Sequence, residues 1–204
     1  ISCSHSLRLR RDIFKGIKMK ITYEFILEAF PNVDILGWMG VTEGYEGELS
    51  EFISRYCSRM QNKEYLLGFL CNEKLMSSKD LRLFAVWCVR QIEYLLDDER
   101  SINALNIAEK FANGNAVFQE LYRARDLAWS AWGECHTFNA AHAARAAAAL
   151  TLWFPDAVPC VSVVVDYVVN ATEFNNSYLM DTIFNKLIEY FAAKENNQEF
   201  SWLD

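Results

Sequence analysis

The chain has 204 residues, 52% of them hydrophobic and 14% aromatic, with a formal charge of −7. That composition supplies enough apolar material for a core and argues against disorder over most of the length. No apolar run reaches the roughly 18 residues a membrane span needs, and the acidic balance opposes non-specific binding to nucleic-acid phosphates.

The charge is unevenly placed. Residues 1–20 carry six basic side chains against the single acid Asp12, which leaves residues 21–204 with 14 basic and 26 acidic groups, a net of −12. Residues 1–18 read as a basic leader that is disordered or not native, with Met19 as the expected natural start. It lacks the apolar region of a secretory signal. Residues 19–194 are expected to form a single helical domain, and 195–204 a polar tail.

Thr22 is placed to cap a short helix that runs to Phe30 and stops at Pro31. The glycine-rich stretch Gly37–Gly47 reads as a loop, and it has neither GxxxxGK[ST] nor GxGxxG spacing, so it is not a phosphate cradle. In Leu49–Met60, Phe52, Ile53, Tyr56, Cys57 and Met60 mark one helix face. Asn62 can cap a helix over 64–72. Ser77 and Asp80 have capping-box spacing before an apolar helix predicted over Leu81–Leu96. Asp97-Asp98-Glu99-Arg100-Ser101 is a polar hinge whose acids suit the start of the next helix, and Asn113-Gly114 is its expected end.

A long helix is expected from Phe118 to Trp132, broken at Gly133. Ala140–Leu150 follows, almost entirely alanine, which is the strongest helix former and lets neighbouring helices approach closely. The valines of Val158–Val169 favour a strand, but Pro159 suits a helix's first turn; the segment is read as helix among helices. Asn176 or Ser177 caps a last helix with Leu179, Ile183, Phe184, Leu187, Ile188 and Phe191 turned inward. The expected fold is therefore all-α, an antiparallel bundle of about seven or eight helices built from hairpins around the alanine-rich helix, with no sheet.

Candidate chemistry is sparse. The six cysteines form no CxxC pair and have no histidine at zinc-finger spacing, so they read as reduced thiols of a cytoplasmic protein. His136 and His142 do not share a helix face, and Cys135-His136 is a poor geometry for a nucleophile and its base. Glu93, Asp97, Asp98 and Glu99 read as a solvated helix-end cluster. No cofactor or metal motif is present, and none is expected. Trp87, Trp129, Trp132 and Trp153 are assigned to the core. Trp38, Tyr45 and Trp202, in loop or tail, are the candidate partner contacts. Arg145 and Asp166 lie equally far from the expected turn at Pro155-Asp156, so they are a candidate ion pair across a hairpin.

Leu81 to Arg90, followed by Asp98-Glu99-Arg100-Ser101 and an alanine-containing helix ending at Gly114, resembles a loose group of bacterial and phage helical proteins. Tyr178 to Asn185 is similar to that group's C-terminal segment, with Met180 where the group has Arg. Most of that group have no assigned function, and some distantly similar proteins are named as immunity proteins of bacterial toxin systems. The resemblance implies no catalytic residue. The lack of a catalytic signature, the acidic body and the loop aromatics on a helical scaffold point to a non-enzymatic protein that binds another protein; an immunity or phage counter-defence role, with a toxin or defence component as partner, is its most concrete form. Two other readings stay open: a small-molecule binder or enzyme with a pocket lined by Arg90, Arg145 or His142, and weak nucleic-acid binding through the leader.

Overall fold

The computed structural model describes residues 20–29, 41–57, 63–71, 73–151, 161–172 and 176–203. The leader, Met19, Trp38, Met60, Asn62, Trp153, Pro155, Asp156, Pro159 and Cys160 lie outside the described residues. Among those described, nine α-helices and two three-residue strands are present, and no helix is long and apolar enough to cross a membrane. The expectation of an all-α helical bundle holds. By their contacts the described residues fall into two compact units, the first from 20–63 and 182–201, the second from 64–181 and 202–203.

In the first unit, β1 (Lys20–Thr22) pairs antiparallel with β2 (Glu46–Glu48), with Ile21 opposite Gly47. This small sheet corrects the sheet-free expectation and ends the glycine-rich loop before Gly47. Ile21 is fully buried between two more exposed neighbours, the alternation of a half-buried strand. Gly44, at φ +83°, supplies the positive φ of the turn closed by Tyr45 N–H to Thr42 C=O at 3.0 Å. A side chain at Gly47 would collide with the Tyr45 hydroxyl, 2.6 Å from the position of its Cβ.

Helix α1 (Tyr23–Ala29) is capped by Thr22, whose Oγ1 accepts from Phe25 N–H at 3.3 Å. Helix α2 (Leu49–Cys57) buries Leu49, Phe52 and Ile53. Its N-terminus is capped from far along the chain. The buried Glu195 carboxylate accepts from Ser50 N–H at 3.1 Å and from the Ser50 hydroxyl. Glu195 closes the longest helix (Asn176–Glu195), whose residues from Thr182 onward belong to this unit and bury Ile183, Phe184, Leu187 and Phe191. Glu195→Ala leaves two Ser50 donors without their acceptor, and is expected to cost about 1–3 kcal/mol. An unchanged urea midpoint would show that the cap carries no stability.

The second unit is helical throughout. Helix α3 (Lys63–Leu70) enters it from Glu64. Helix α4 (Ser78–Arg90) is capped by Ser77, whose Oγ accepts from Asp80 N–H at 3.0 Å while its hydroxyl donates to Asp80 Oδ2 at 2.6 Å. The helix expected through Leu96 ends at Arg90. A 3-10 turn (Glu93–Leu95) follows, burying Ile92 and Leu96 and leaving Tyr94 exposed. Helix α5 (Glu99–Ala112) begins at Asp98, whose Oδ1 accepts from Arg100 N–H at 2.8 Å. It ends in a Schellman motif. Gly114 has φ +77°, Asn115 N–H donates to Lys110 C=O at 2.7 Å, and Gly114 N–H donates to Phe111 C=O at 3.0 Å.

Helix α6 (Phe118–Gly133) stops at the expected glycine. Helix α7 (Phe138–Ala149) is capped by Thr137, and α8 (Val161–Asn170) shows that the described part of the valine segment, from Val161, is helical as read. Successive helices α4 to α8 pack as neighbours. Helix α7 touches α4, α5, α6 and α8, so the alanine-rich helix is central. The reason is steric. Ala104 of α5, Ala124 and Ala128 of α6 and Ala148 of α7 form one buried cluster in which methyl groups meet across the interfaces.

Candidate functional site

Few of the sequence-predicted residues sit where a ligand would find them. Tyr45 is half-buried and packs edge-on against Phe52, ring centroids 5.9 Å apart. Trp202 is not an exposed tail aromatic. It is 2% exposed, its ring lies 5.2 Å from that of Phe84, and its Nε1–H donates to Asp80 Oδ1 at 3.2 Å. The hydrogen bond and the ring contact hold it in the second unit's core, so it is withdrawn as a partner contact.

The expected Arg145–Asp166 pair does not form. Asp166 is exposed on α8, and its Oδ1 accepts from Asn170 Nδ2–H at 3.1 Å. Arg90 is also spoken for: it donates to Glu93 at 2.8 Å, to Glu109 at 2.7 Å and to Asn106 at 2.8 Å. The acidic hinge is likewise structural. Arg100 bonds Asp98 at 2.7 Å and Glu134 at 2.6 Å, tying the start of α5 to the end of α6 and holding both carboxyls below their ordinary range.

Nucleophilic chemistry has little support. Cys71, Cys88 and Cys135 are free thiols. Burial pushes the Cys71 and Cys88 thiols up, away from the reactive thiolate. Cys135 Sγ donates to Ala131 C=O at 3.4 Å while His136 is exposed. Among the described residues, no group of three His, Cys, Asp or Glu is placed to hold a metal ion.

What the structure does assemble is an arginine–aromatic face on α6, α7 and α8. Helix α6 carries two stripes. Leu121, Ala124, Ala128 and Ala131, spaced 3-4-3, are buried. Beside them Phe118, Tyr122, Arg125, Trp129 and Trp132, spaced 4-3-4-3, are half-exposed or exposed. Along that second stripe the Phe118 and Tyr122 rings lie 6.4 Å apart, and the Arg125 guanidinium sits 3.7 Å over Tyr122. Trp129 and Trp132 meet edge-on at 5.3 Å. Trp87, Trp129 and Trp132, assigned to the core, are half-buried at its border, where Trp129 packs against the alanine cluster.

Helix α7 extends the face. Phe138, His142 and Arg145, spaced four and three, leave its alanine surface for the packed side. Phe138 is 59% exposed, and its ring lies 4.3 Å from His142. From α8, Tyr167 reaches both: its ring is 6.2 Å from His142 and 4.7 Å from the Arg145 guanidinium carbon. Trp132 flanks the same guanidinium at 4.9 Å. One cation is thus held by two rings from two different helices.

Its polar atoms are less well served. Arg145 Nε and His142 Nδ1 are both shielded from solvent and have no hydrogen-bond partner. Among the described residues no carboxylate pairs with Arg145. The only signal for this face in the sequence is the 4-3-4-3 aromatic spacing of α6. Comparison with protein-family models, with curated proteins and with solved structures finds no match to this chain.

Proposed function

We propose that this is a non-enzymatic protein that acts by binding another protein, through the face formed by Tyr122, Trp129, Trp132, Phe138, Arg145 and Tyr167. The observation that carries the reading is the Arg145 guanidinium, 4.9 and 4.7 Å from the Trp132 and Tyr167 rings and with no carboxylate paired to it among the described residues. Tryptophan, tyrosine and arginine are the residues that dominate binding energy at protein interfaces, and charged pairs already satisfied within a protein contribute little there. A rigid alanine-packed scaffold beneath them lowers the ordering cost of association. The resemblance of residues 81–116 and 178–185 to a loose group of bacterial and phage helical proteins, with some proteins named as immunity proteins among its distant relatives, supports a toxin or defence component as the partner, met in the cytoplasm, where free thiols stay reduced.

The test is affinity capture with tagged full-length protein in its native host. The wild type should recover a stoichiometric partner. Trp132→Ala and Tyr122→Ala should each lower that recovery by about tenfold or more, and Tyr94→Ala, exposed on the 3-10 turn and not one of the named face residues, should not. Recovery that is equal in all four, or no stoichiometric partner at all, would reject the proposal.

A further inference from the structure

We infer that the group Arg145 receives is a carboxylate, supplied by an aspartate or glutamate side chain of the protein partner; the inference rests on the protein-binding reading above. A guanidinium has five N–H donors in its plane and accepts nothing. A ring contact supplies no acceptor oxygen to any of those donors. At Arg145 the guanidinium carbon lies 4.9 and 4.7 Å from the Trp132 and Tyr167 rings, and no carboxylate among the described residues pairs with it; Nε is shielded from solvent, so the donors left for a partner are the terminal nitrogens. In the same unit Arg90, Arg100 and Arg125 each hold a carboxylate at 2.6 to 2.8 Å. The acid nearest to Arg145's aromatic partner in sequence, Asp166, is turned to Asn170 instead. His142, three residues back on the same helix face, adds a second shielded and unpartnered nitrogen.

The chemistry selects a carboxylate over a phosphate. A fork of parallel N–H donors matches two carboxylate oxygens in one plane. One guanidinium offers a single positive charge, and the chain around it carries a net −7, which repels a dianion more than a monoanion. The source is a protein side chain because the ring surface runs on past Arg145, to Trp129 and Tyr122 on one side and Phe138 on the other. A free small acid would leave that surface uncovered.

The experiment selects a displayed random-peptide library against the immobilised full chain and keeps peptides whose binding falls with Trp132→Ala. In each, every Asp and Glu is replaced by its amide, and binding is titrated by calorimetry to wild type, Arg145→Met and Arg145→Lys. Arg145→Met keeps the stem between the rings; Arg145→Lys keeps the charge without the fork and serves if the methionine variant fails to fold. We expect one acid whose amide weakens binding to wild type by about tenfold but to Arg145→Met by less than about twofold, with Arg145→Lys between them. Equal losses on wild type and both variants, or face-dependent peptides without acids, would overturn the carboxylate and leave protein binding standing. Displacement by inorganic phosphate but not by acetate at equal ionic strength would overturn it in favour of a phosphate group. Selection that yields no Trp132-dependent peptide would reject both the carboxylate and the protein-binding face.

Discussion

Trp202→Ala is expected to destabilise the protein by about 3–5 kcal/mol, the range for removing a large buried aromatic. The side chain is 2% exposed and meets Phe84, which is itself fully buried. Truncation opens a cavity beside the Phe84 ring on α4. It also removes the donor to Asp80 Oδ1, although Asp80 keeps its bond from the Ser77 hydroxyl. Trp202→Phe separates the two contributions. It restores most of the ring contact and loses only the N–H, so it should cost about 1 kcal/mol. Urea denaturation followed by far-ultraviolet dichroism gives both numbers. A loss under about 1 kcal/mol for Trp202→Ala would mean that the indole is not part of the folded core.

Local signals were legible in the sequence because they are satisfied within a few residues. Thr22, Ser77 and Asp98 cap the helices they precede, and Gly114 ends α5, each by a bond three to five residues away or less. The valine segment was ambiguous because β-branched residues fit a strand. Burial decided it: Val161, Val164, Val165 and Val168 repeat at helical spacing and are all buried. Partners distant in sequence were not legible. Ile21 meets Gly47 and Ser50 meets Glu195 across segments with no local marker, and strands of three residues are too short to show a period.

The Arg145–Asp166 expectation failed in an instructive way. Equal distance from a turn sets the height of two residues on a hairpin but not the side of the helix each one faces. One residue is about 100° of rotation. Tyr167, not Asp166, turns toward Arg145. The candidate face was hidden for a related reason. On α6 the aromatic stripe lies beside the alanine stripe, and tryptophan at helical spacing reads as core until burial distinguishes the two.

Ala128→Leu should cost about 3 kcal/mol, at the upper end for overpacking, and should weaken the proposed interface as well. Ala128 is fully buried where α6 meets α5 and α7, beside Ala104 and Ala148, both also fully buried. A leucine adds three carbons to a cluster of methyls against which Ile107 and Trp129 are already packed. The helices must separate or the new side chain must leave its preferred rotamers. Separation moves α6 against α7, and therefore Trp132 against Arg145, whose 4.9 Å spacing spans that interface. The variant should lose partner affinity under conditions in which it remains folded. Ala128→Gly is the control. It removes volume, costs about 1 kcal/mol in helix propensity, and leaves the helices free to stay close. If Ala128→Leu is as stable as wild type, the interhelical contact is loose and the alanine packing does not position the face. If it is destabilised but binds normally, the face does not depend on the α6–α7 register, and the scaffold and the binding surface are independent.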